Sequence, residues 1–223
     1  MATVPETSPR PAPVAPLIEG PTVRLRALRE DDVPALVENC RDEATRRFVP
    51  VPLDYTPDDA LTYLHHTVPD GWRDGTNHVF AVADTDDDAL LGTVGLHAFR
   101  ATTADVGINI GPAARGRGIG TAACLLLIDY AVEGLGMRTL YWQAYVGNHA
   151  SLALARRLGF TFRAELPDFA SLRGDPVDVW LLSLRAGDGA DPGAAGDGGA
   201  AGDGADGGPA RPAAPGEAPR EKL

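Results

Sequence analysis

The most informative stretch of the chain lies at residues 106–121 and reads VGINIGPAARGRGIGT. A run of strand formers is ended by Gly111-Pro112, and a Gly- and Arg-rich turn then leads into an apolar segment with helical spacing. Amides at a helix N-terminus have no intrahelical partner and carry a partial positive charge, while glycines allow close approach and positive φ. Arg115 and Arg117 add guanidinium groups that suit phosphate oxygens. The stretch therefore predicts a strand–turn–helix junction that binds a pyrophosphate.

The spacing of glycines in this turn differs from that of two common phosphate-binding loops. A nucleoside-triphosphate loop requires Gly-Lys followed by Ser or Thr, whereas Gly120 is followed directly by Thr121. A dinucleotide-binding fold requires Gly-x-Gly-x-x-Gly, and here the spacing is Gly116-x-Gly118-x-Gly120. The remaining alternatives are a pyrophosphate ligand of another class and a turn that only begins a helix.

The sequence before this junction predicts strands and two helices. Residues 23–28 alternate strictly and predict a strand, and the acidic segment after them caps a helix through Cys40. Thr56-Pro57-Asp58-Asp59 is typical of a second helix N-terminus. Residues 78–110 contain three runs of strand formers and predict an antiparallel meander. Residues 84–88 lack the Gly and Glu of a calcium loop, so they predict a solvated hairpin tip.

The sequence after the junction continues the alternation of helices and strands. Residues 118–133 have helical spacing that stops at Gly134 and Gly136. Further strands are predicted at residues 139–146, 160–166 and 177–184, with a helix at residues 150–158. This order predicts an α/β (α+β) fold in which a single mixed, mostly antiparallel twisted sheet is flanked by helices.

The two ends of the 223-residue chain differ in composition from its middle. Residues 1–16 contain five prolines and lack the apolar run of a signal peptide, which predicts a flexible Pro-rich leader. Residues 187–223 contain no Val, Ile, Phe, Tyr or Trp and predict a disordered Gly/Ala/Asp-rich tail. Residues 17–186 remain as one folded domain.

Charge and composition disfavour several functional classes. The net charge of -11 disfavours a nucleic-acid partner and weakly favours a cationic substrate. Cys40 and Cys124 lie in apolar-periodic segments and are predicted to pack in a core, and no Cys or His cluster has metal-ligand spacing. The apolar run at residues 122–128 is far shorter than the roughly 20 residues of a membrane span. We therefore expect a cytoplasmic protein with no metal and no membrane partner.

The motif Arg115-x-x-Gly118-x-Gly120 after a Pro-terminated strand resembles the acetyl-CoA signature of the GNAT superfamily of N-acetyltransferases. Further landmarks resemble its ribosomal-protein-alanine N-acetyltransferase branch, of RimJ/RimL type. They are residues 25–28, residues 92–96, and Asn148-x-x-Ser151 with Leu158-Gly159-Phe160. The resemblance spans residues 22–185 and implies the GNAT fold, acetyl-CoA as co-substrate and transfer of an acetyl group to an amine.

The resemblance also implies which residues bind the cofactor. The backbone of residues 108–110 would face the pantetheine arm and thioester, and the amides of residues 115–121 would hold the pyrophosphate. Asn148 would position the cofactor. The implied set is Ile108, Asn109, Ile110, Arg115, Gly116, Arg117, Gly118, Ile119, Gly120, Thr121 and Asn148. A splay between this strand and the strand at residues 139–146 would free backbone donors for the ligand.

Amine acetylation requires removal of an amine proton, stabilisation of an oxyanion and protonation of the departing thiolate. In the resembled branch the Ser at the position of Ser151 is the proposed acid. Asn148 belongs to the same Asn148-x-x-Ser151 motif and is implied to position the cofactor. The Tyr that many relatives use instead corresponds here to Ala155. The alternative for Ser151 is a helix N-cap or first-turn residue.

Asp105 is the predicted general base, because it stands where the branch often carries Glu. The alternative is a solvated Asp at a strand start. His97, His149 and Tyr145 are weaker candidates for the base. The branch carries an aromatic pair where this chain has Ile108-Asn109, which affects the acceptor pocket more than the cofactor site.

The sequence leaves three functions open. They are acetylation of a protein N-terminal α-amine, acetylation of a small-molecule amine such as an antibiotic or polyamine, and catalytically silent binding of acetyl-CoA. The acceptor is expected between the helices at residues 31–66 and the late strands, with Phe48 and Trp72 as candidate lining residues. The expected partner is this amine, and a homodimer is left open.

Overall fold

The computed structural model describes residues 14–187. Their elements are β1 Ile18–Glu19, β2 Val23–Arg26, α1 Val33–Arg41, α2 Glu43–Phe48, α3 Pro57–Thr62, α4 Val68–Asp74, β3 Asn77–Asp84, β4 Leu90–Arg100, β5 Thr103–Ile110, α5 Ile119–Asp129, β6 Thr139–Tyr145, α6 His149–Arg157, β7 Thr161–Leu172 and β8 Asp175–Arg185. One π-helical turn, Tyr63–Thr67, joins α3 to α4, and another, Tyr130–Gly134, extends α5. The predicted leader, apart from residues 14–16, and the predicted tail, apart from Gly187, lie outside the described residues.

The strands form one mixed sheet in the order β1-β2-β3-β4-β5-β6-β8-β7. Neighbouring strands are antiparallel except β5 and β6, which are parallel and joined through the crossover helix α5. The predicted single, mostly antiparallel sheet flanked by helices is confirmed, as is the meander formed by β3, β4 and β5.

The larger hydrophobic core lies on the face of the sheet against which α5 and α6 pack. Leu96, Val106 and Trp142 from three adjacent strands meet Cys124 and Leu127 of α5 there. Because strand side chains alternate between faces, the intervening residues of β4, β5 and β6 point to the opposite face. A smaller cluster between α1, α3 and β3 contains Cys40, so the predicted packing of both cysteines in the core is confirmed.

A row of polar residues crosses the opposite face of the sheet. Asn77 of β3 pairs with His97 of β4, which pairs with Asp105 of β5, then Tyr141 of β6 and Ser183 of β8. Directly paired residues point to the same face. We call these five residues the polar row. At the centre of the polar row, His97 of β4 lies opposite Asp105 of β5, and β6 is the next strand along.

The hairpin between β3 and β4 is tied down by arginines. Arg26 is buried and donates from both terminal nitrogens to Asp32, at 2.7 and 2.8 Å, and from Nε to Asp88 at 3.0 Å. Arg29 lies 2.6 Å from the same Asp88 carboxylate. The predicted hairpin tip is therefore present, but the expectation that it is solvated is wrong for Asp88, which is half-buried in ion pairs to β2 and the turn after it.

Other differences from the predicted elements have local causes. The first predicted strand ends at Arg26, two residues earlier than predicted. The predicted helix N-terminus at Thr56 is confirmed, and Thr56 forms a capping box there with Asp59. The helix α2 was not predicted, although Asp42 caps it by accepting from the Thr45 amide. Strand β7 extends to Leu172 through a bulge, where the Asp168 amide donates to Asp178.

Candidate active site

Strands β5 and β6 separate at one end. They pair from Thr103 and Thr139 to Val106 and Trp142, but β5 continues to Ile110. Residues 104–106 are buried, and residues 107–110 become half-exposed where the pairing stops. The predicted splay is confirmed. Within the described sheet, the β6-facing backbone groups of residues 107–110 have no strand partner, so they are available to an elongated ligand.

The loop at the end of β5 turns the chain directly into the first turn of α5. Gly116 and Gly118 have φ values of 73° and 81°, a region that side chains other than glycine rarely adopt. No heavy atom lies within 4 Å of a Cβ placed at either position, so the requirement is conformational rather than steric. Gly118 is the N-cap of α5, and the free amides of the first turn face the same loop. The predicted strand–turn–helix junction is confirmed.

Gly120 packs this first turn against its surroundings. A Cβ there would lie 3.4 Å from Leu154 of α6 and 3.6 Å from Ile108 and Ile110 of β5. These are ordinary contacts that a larger side chain would exceed. An alanine would therefore fit at this position, where the N-terminus of α5 lies close to the open end of β5.

The guanidinium of Arg115 points back into the protein. It donates from Nε to the Ile110 carbonyl at 2.8 Å and from Nη2 to Thr45 Oγ1 at 3.1 Å, and it lies 2.7 Å from Asp42. Thr45 in turn donates to the side-chain oxygen of Asn109 at 3.0 Å. Burial raises the pKa of Asp42, but the bonds from Arg115 and Thr45 outweigh it and hold that pKa below its ordinary value. We call Asp42, Thr45, Asn109 and Arg115 the loop brace, because together they tie the glycine loop to α2.

Arg117 differs from Arg115. Its side chain is exposed, and within residues 14–187 it forms no ion pair or side-chain hydrogen bond. Of the two arginines in the motif, Arg117 is the one whose guanidinium is available to a phosphate in this conformation.

Ser151 lies in the first turn of α6, beside the open ends of β5 and β6. Asn148 is the N-cap and accepts from the Ser151 amide at 3.1 Å. The buried Trp142 donates from its indole nitrogen to Ser151 Oγ at 2.9 Å. A hydroxyl oxygen that accepts this bond keeps its own proton free to donate elsewhere. The first-turn position expected as the alternative for Ser151 is observed, and it is compatible with an acid.

Asp105 is 2% exposed, so the alternative of a solvated Asp is wrong. Its carboxylate accepts from Arg100 at 3.1 Å and from Gln143 at 2.5 Å. It lies one residue before the last paired residue of β5, on the face opposite the larger core. Both of its oxygens are therefore occupied by donors in this conformation.

A cavity of about 390 Å³ lies beyond the open ends of the strands. Its lining comes from α2, the end of β6 and the β7–β8 hairpin, and comprises Arg47, Phe48, Tyr145, Val146, Leu172, Pro176, Val177 and Asp178. Phe48 lines this cavity as expected. Trp72 does not, because it is 5% exposed, stacks on His78 at 4.1 Å and donates to the Val79 carbonyl in the core.

The comparisons with known proteins agree with this geometry. Residues 22–161 match the family model of the acetyltransferase (GNAT) domain. The chain belongs to the GNAT acetyltransferase family. It is 33% identical over 132 residues to YdaF of Bacillus subtilis (strain 168), provisionally named a ribosomal N-acetyltransferase, covering 57% of this chain and 72% of the relative.

Two solved structures share the fold of this GNAT protein. RimJ of Mycobacterium smegmatis, in complex with CoA-disulfide, has a TM-score of 0.69 and 18% identity, covering 78% of this chain and 88% of that one. The ribosomal L7/L12 α-N-protein acetyltransferase RimL, in complex with coenzyme A, has a TM-score of 0.68 and 21% identity, covering 76% and 98%. Because the chain belongs to the GNAT family, the protein is an acetyltransferase from a family that uses acetyl-CoA.

Two further observations on this GNAT enzyme concern a metal site and a membrane-spanning helix. Within residues 14–187, no group of His, Cys, Asp and Glu side chains is arranged to hold a metal ion. In the same residues, no helix has both the length and the apolar character to cross a membrane.

Tyr145 lines the cavity, and burial raises its pKa although Arg173 lowers it. His149 is exposed and packs against Trp180 at 5.3 Å between ring centres.

Several side chains that shape the site were not predicted from the sequence. Asp42 and Thr45 could have been found, because Asp-x-x-Thr at a helix start is an N-cap signal. The bond from Trp142 to Ser151 could not, because it depends on how β6 and α6 meet. The cavity walls at Leu172 and Pro176 come from a hairpin whose tip the sequence did not locate.

Proposed function

We propose that this acetyltransferase acetylates the N-terminal α-amine of a protein and holds acetyl-CoA in the cleft between β5 and β6. The observation that carries the proposal is the end of pairing after Val106 and Trp142, which leaves residues 107–110 open beside the first turn of α5. Acetyl-CoA supplies the activated acyl thioester. The protein supplies the binding groups, the proton donor and the acceptor pocket.

The proposed cofactor contacts divide between backbone and side chain. The half-exposed backbone of residues 108–110 suits the amide groups of a pantetheine arm. The amides of residues 115–121 suit a pyrophosphate at the N-terminus of α5, with the exposed Arg117 as the added cation. We assign Arg115 to the loop brace rather than to a direct contact of its guanidinium with phosphate, because that group is already paired with Asp42.

We propose Ser151 as the proton donor to the departing sulfur. The indole of Trp142 donates to Ser151 Oγ and polarises the hydroxyl toward release of its proton. Asn148 fixes the first turn that carries Ser151, and this capping bond is the proposed contribution of Asn148 to catalysis and to the cofactor cleft.

The cavity beyond the cleft favours a peptide over a polycation. Arg47 lines it, and Arg173, at the tip of the β7–β8 hairpin, donates to the Val49 carbonyl at 3.5 Å. Within residues 14–187 neither arginine is ion-paired. The one acidic wall residue, Asp178, accepts from the Asp168 amide. An extended peptide whose residues after the α-amine are acidic fits this rim better than a polyamine or aminoglycoside does.

The test measures thiol release from acetyl-CoA with matched peptides. One peptide begins with a free Ala α-amine followed by acidic residues and carries one internal Lys, and its partner has the same sequence with a formylated α-amine. We expect turnover only with the free α-amine, with mass spectrometry placing the acetyl group on residue 1. A third peptide with Lys in place of the acidic residues should have a several-fold higher KM.

The other outcomes identify the alternatives. Turnover of spermidine or an aminoglycoside with none of the peptides would replace the proposed acceptor by a small-molecule amine. Tight binding of acetyl-CoA without turnover of any amine would identify a silent binding module. A cytoplasmic location and the absence of nucleic-acid and membrane partners stay predictions, and a homodimer stays an open alternative.

A further inference from the structure

His97 lies where the cleft begins. It is on β4 in the polar row, between Asn77 and Asp105. Its ring extends along the sheet toward Gly107, because a Cβ placed on Gly107 would lie 3.0 Å from His97 Cε1 and 3.3 Å from Nδ1. Gly107 is the first residue of β5 beyond the paired segment. The imidazole therefore covers the first open residue of the strand.

The glycine makes room for this ring. Gly107 has an ordinary extended conformation, so no positive φ requires glycine there. A methyl group would press on the imidazole at 3.0 Å, which is tighter than ordinary van der Waals contact. Gly107 thus leaves space above the strand that the ring of His97 partly fills, on the face that also carries Asn109 and, through it, α2.

The charged groups that act on His97 are few. Burial lowers its pKa, Asp105 on β5 raises it, and Arg100 on its own strand lowers it, so that it stays below the ordinary value. From β3, Asn77 faces it without charge, and Tyr141 lies one strand beyond Asp105. The lowered pKa favours the neutral imidazole, which has a nitrogen lone pair that can accept a proton.

Asp105 is placed differently. Both carboxylate oxygens already accept bonds from Arg100 and Gln143, and the residue is 2% exposed. Its register position lies within the paired segment, two residues before Gly107. It is close enough to influence a charge on His97 but is enclosed by its own donors.

We propose that His97 is the general base that accepts the proton of the attacking amine, and that Asp105 is a positioning residue that stabilises the resulting imidazolium. This inference rests on the proposed function. It reassigns the proton acceptor from the carboxylate expected from the sequence to its cross-strand neighbour.

The proton balance of the reaction closes with these groups. The amine nitrogen forms its bond to the thioester carbon while His97 takes one of its protons. The carbon–sulfur bond breaks, and the sulfur takes a proton from Ser151 Oγ. His97 then releases its proton to solvent and Ser151 regains one, so the products are the amide and free CoA.

The test uses His97→Gln and His97→Ala in the full chain, with His66→Gln as the control because His66 is exposed on the outside of the helical turn between α3 and α4. With the peptide substrate, we expect His97→Gln to lower kcat about 100-fold, as removal of a general base does. The Kd for acetyl-CoA, measured by calorimetry, should stay within twofold. His66→Gln should match the wild type.

Two readouts separate a base from a structural residue. Added imidazole should restore at least tenfold of the activity of His97→Ala, because the vacated space beside Gly107 admits it, and should not restore Ser151→Ala. Histidine NMR should give His97 a pKa below the ordinary value of a histidine in the wild type. Asp105→Asn should lower that pKa further, since the carboxylate raises it.

The outcomes are separable from failure of the proposed function. If the wild type acetylates the peptide while folded His97→Gln keeps kcat within threefold, the assignment of the base is overturned. Absence of imidazole rescue in a folded His97→Ala with lowered kcat overturns it as well. If His97→Gln does not fold, His97→Asn, which keeps a side-chain acceptor, takes its place under the same criteria. A wild type inactive on every peptide contradicts the proposed function itself.

Discussion

The two halves of the candidate site differ in the groups that form them, which are mainly backbone groups in one half and side chains in the other. The proposed cofactor half consists of the open backbone of residues 107–110, two left-handed glycines and the first turn of α5. The proposed acceptor half consists of side chains from α2, the end of β6 and the β7–β8 hairpin. Backbone geometry requires particular residue types at fixed spacing, whereas a side-chain pocket accepts many sequences. The difference explains why the chain identifies its acyl donor far more clearly than its acceptor.

The largest expected effect concerns the chemistry between the two halves. Ser151→Ala should lower kcat about 100-fold, because the departing sulfur loses its proton donor. The Kd for acetyl-CoA should change less than twofold in calorimetry. Ser171→Ala, on the exposed part of β7, is the matched control.

Trp142→Phe refines this test. It keeps an aromatic ring against Phe160 while removing the indole donor to Ser151. An intermediate loss in kcat is expected. Unchanged kcat in Ser151→Ala would remove Ser151 as the acid and leave it a helix residue.

The next effect should be confined to the cofactor half. Gly118→Ala and Gly136→Ala both place a side chain at positive φ, 81° and 69°. Each should cost about 1–2 kcal/mol of unfolding free energy, measured by urea denaturation. Only Gly118→Ala should also weaken acetyl-CoA binding, by about tenfold, because it reorients the amides at the start of α5. Equal affinities in the two variants would contradict the loop assignment.

Substitutions in the loop brace should have a smaller effect on the Kd for acetyl-CoA. Asp42→Asn removes the partner of Arg115 without touching the proposed phosphate site. We expect Arg115→Ala and Asp42→Asn each to raise the Kd for acetyl-CoA about three- to tenfold, and the double variant to be no worse than either alone. If Asp42→Asn leaves the Kd unchanged while Arg115→Ala raises it, the guanidinium contacts the phosphate directly.

The smallest effect should be confined to the acceptor half. Phe48→Ala should raise the KM for the peptide about threefold by removing one wall of the cavity, with kcat and acetyl-CoA affinity unchanged. Phe169→Ala is the matched control, because Phe169 is 55% exposed on β7 and does not line the cavity. A rise in KM in both variants would place the acceptor elsewhere.

The sequence predicted most of the features that depend on backbone conformation. Alternation and helical spacing located the meander, α1, α5 and α6, and the glycine motif located the junction at residues 111–121. The splay followed from the resemblance, whereas Pro112 indicated only where β5 itself ends, at Ile110. These features depend on neighbouring residues.

The rest depends on residues brought together by the fold. The bond of Arg115 to Thr45 spans 70 positions, and the neighbours of His97 follow from strand register. Trp72 was misplaced for the same reason, since an aromatic residue in a helix can face a core or a pocket and only packing decides. The solvated alternative for Asp105 failed because Gln143 and Arg100 reach it from outside its own strand segment.

The central claim is that acetyl-CoA lies between β5 and β6 with its phosphates at the start of α5. Hydrogen exchange of backbone amides, measured with and without acetyl-CoA, tests it most directly. We expect new protection at residues 107–110 and 115–121, and no change at the amides of β1 on the far edge of the sheet. Protection confined to the lining of the acceptor cavity, with the amides of residues 107–121 unchanged, would contradict the claim.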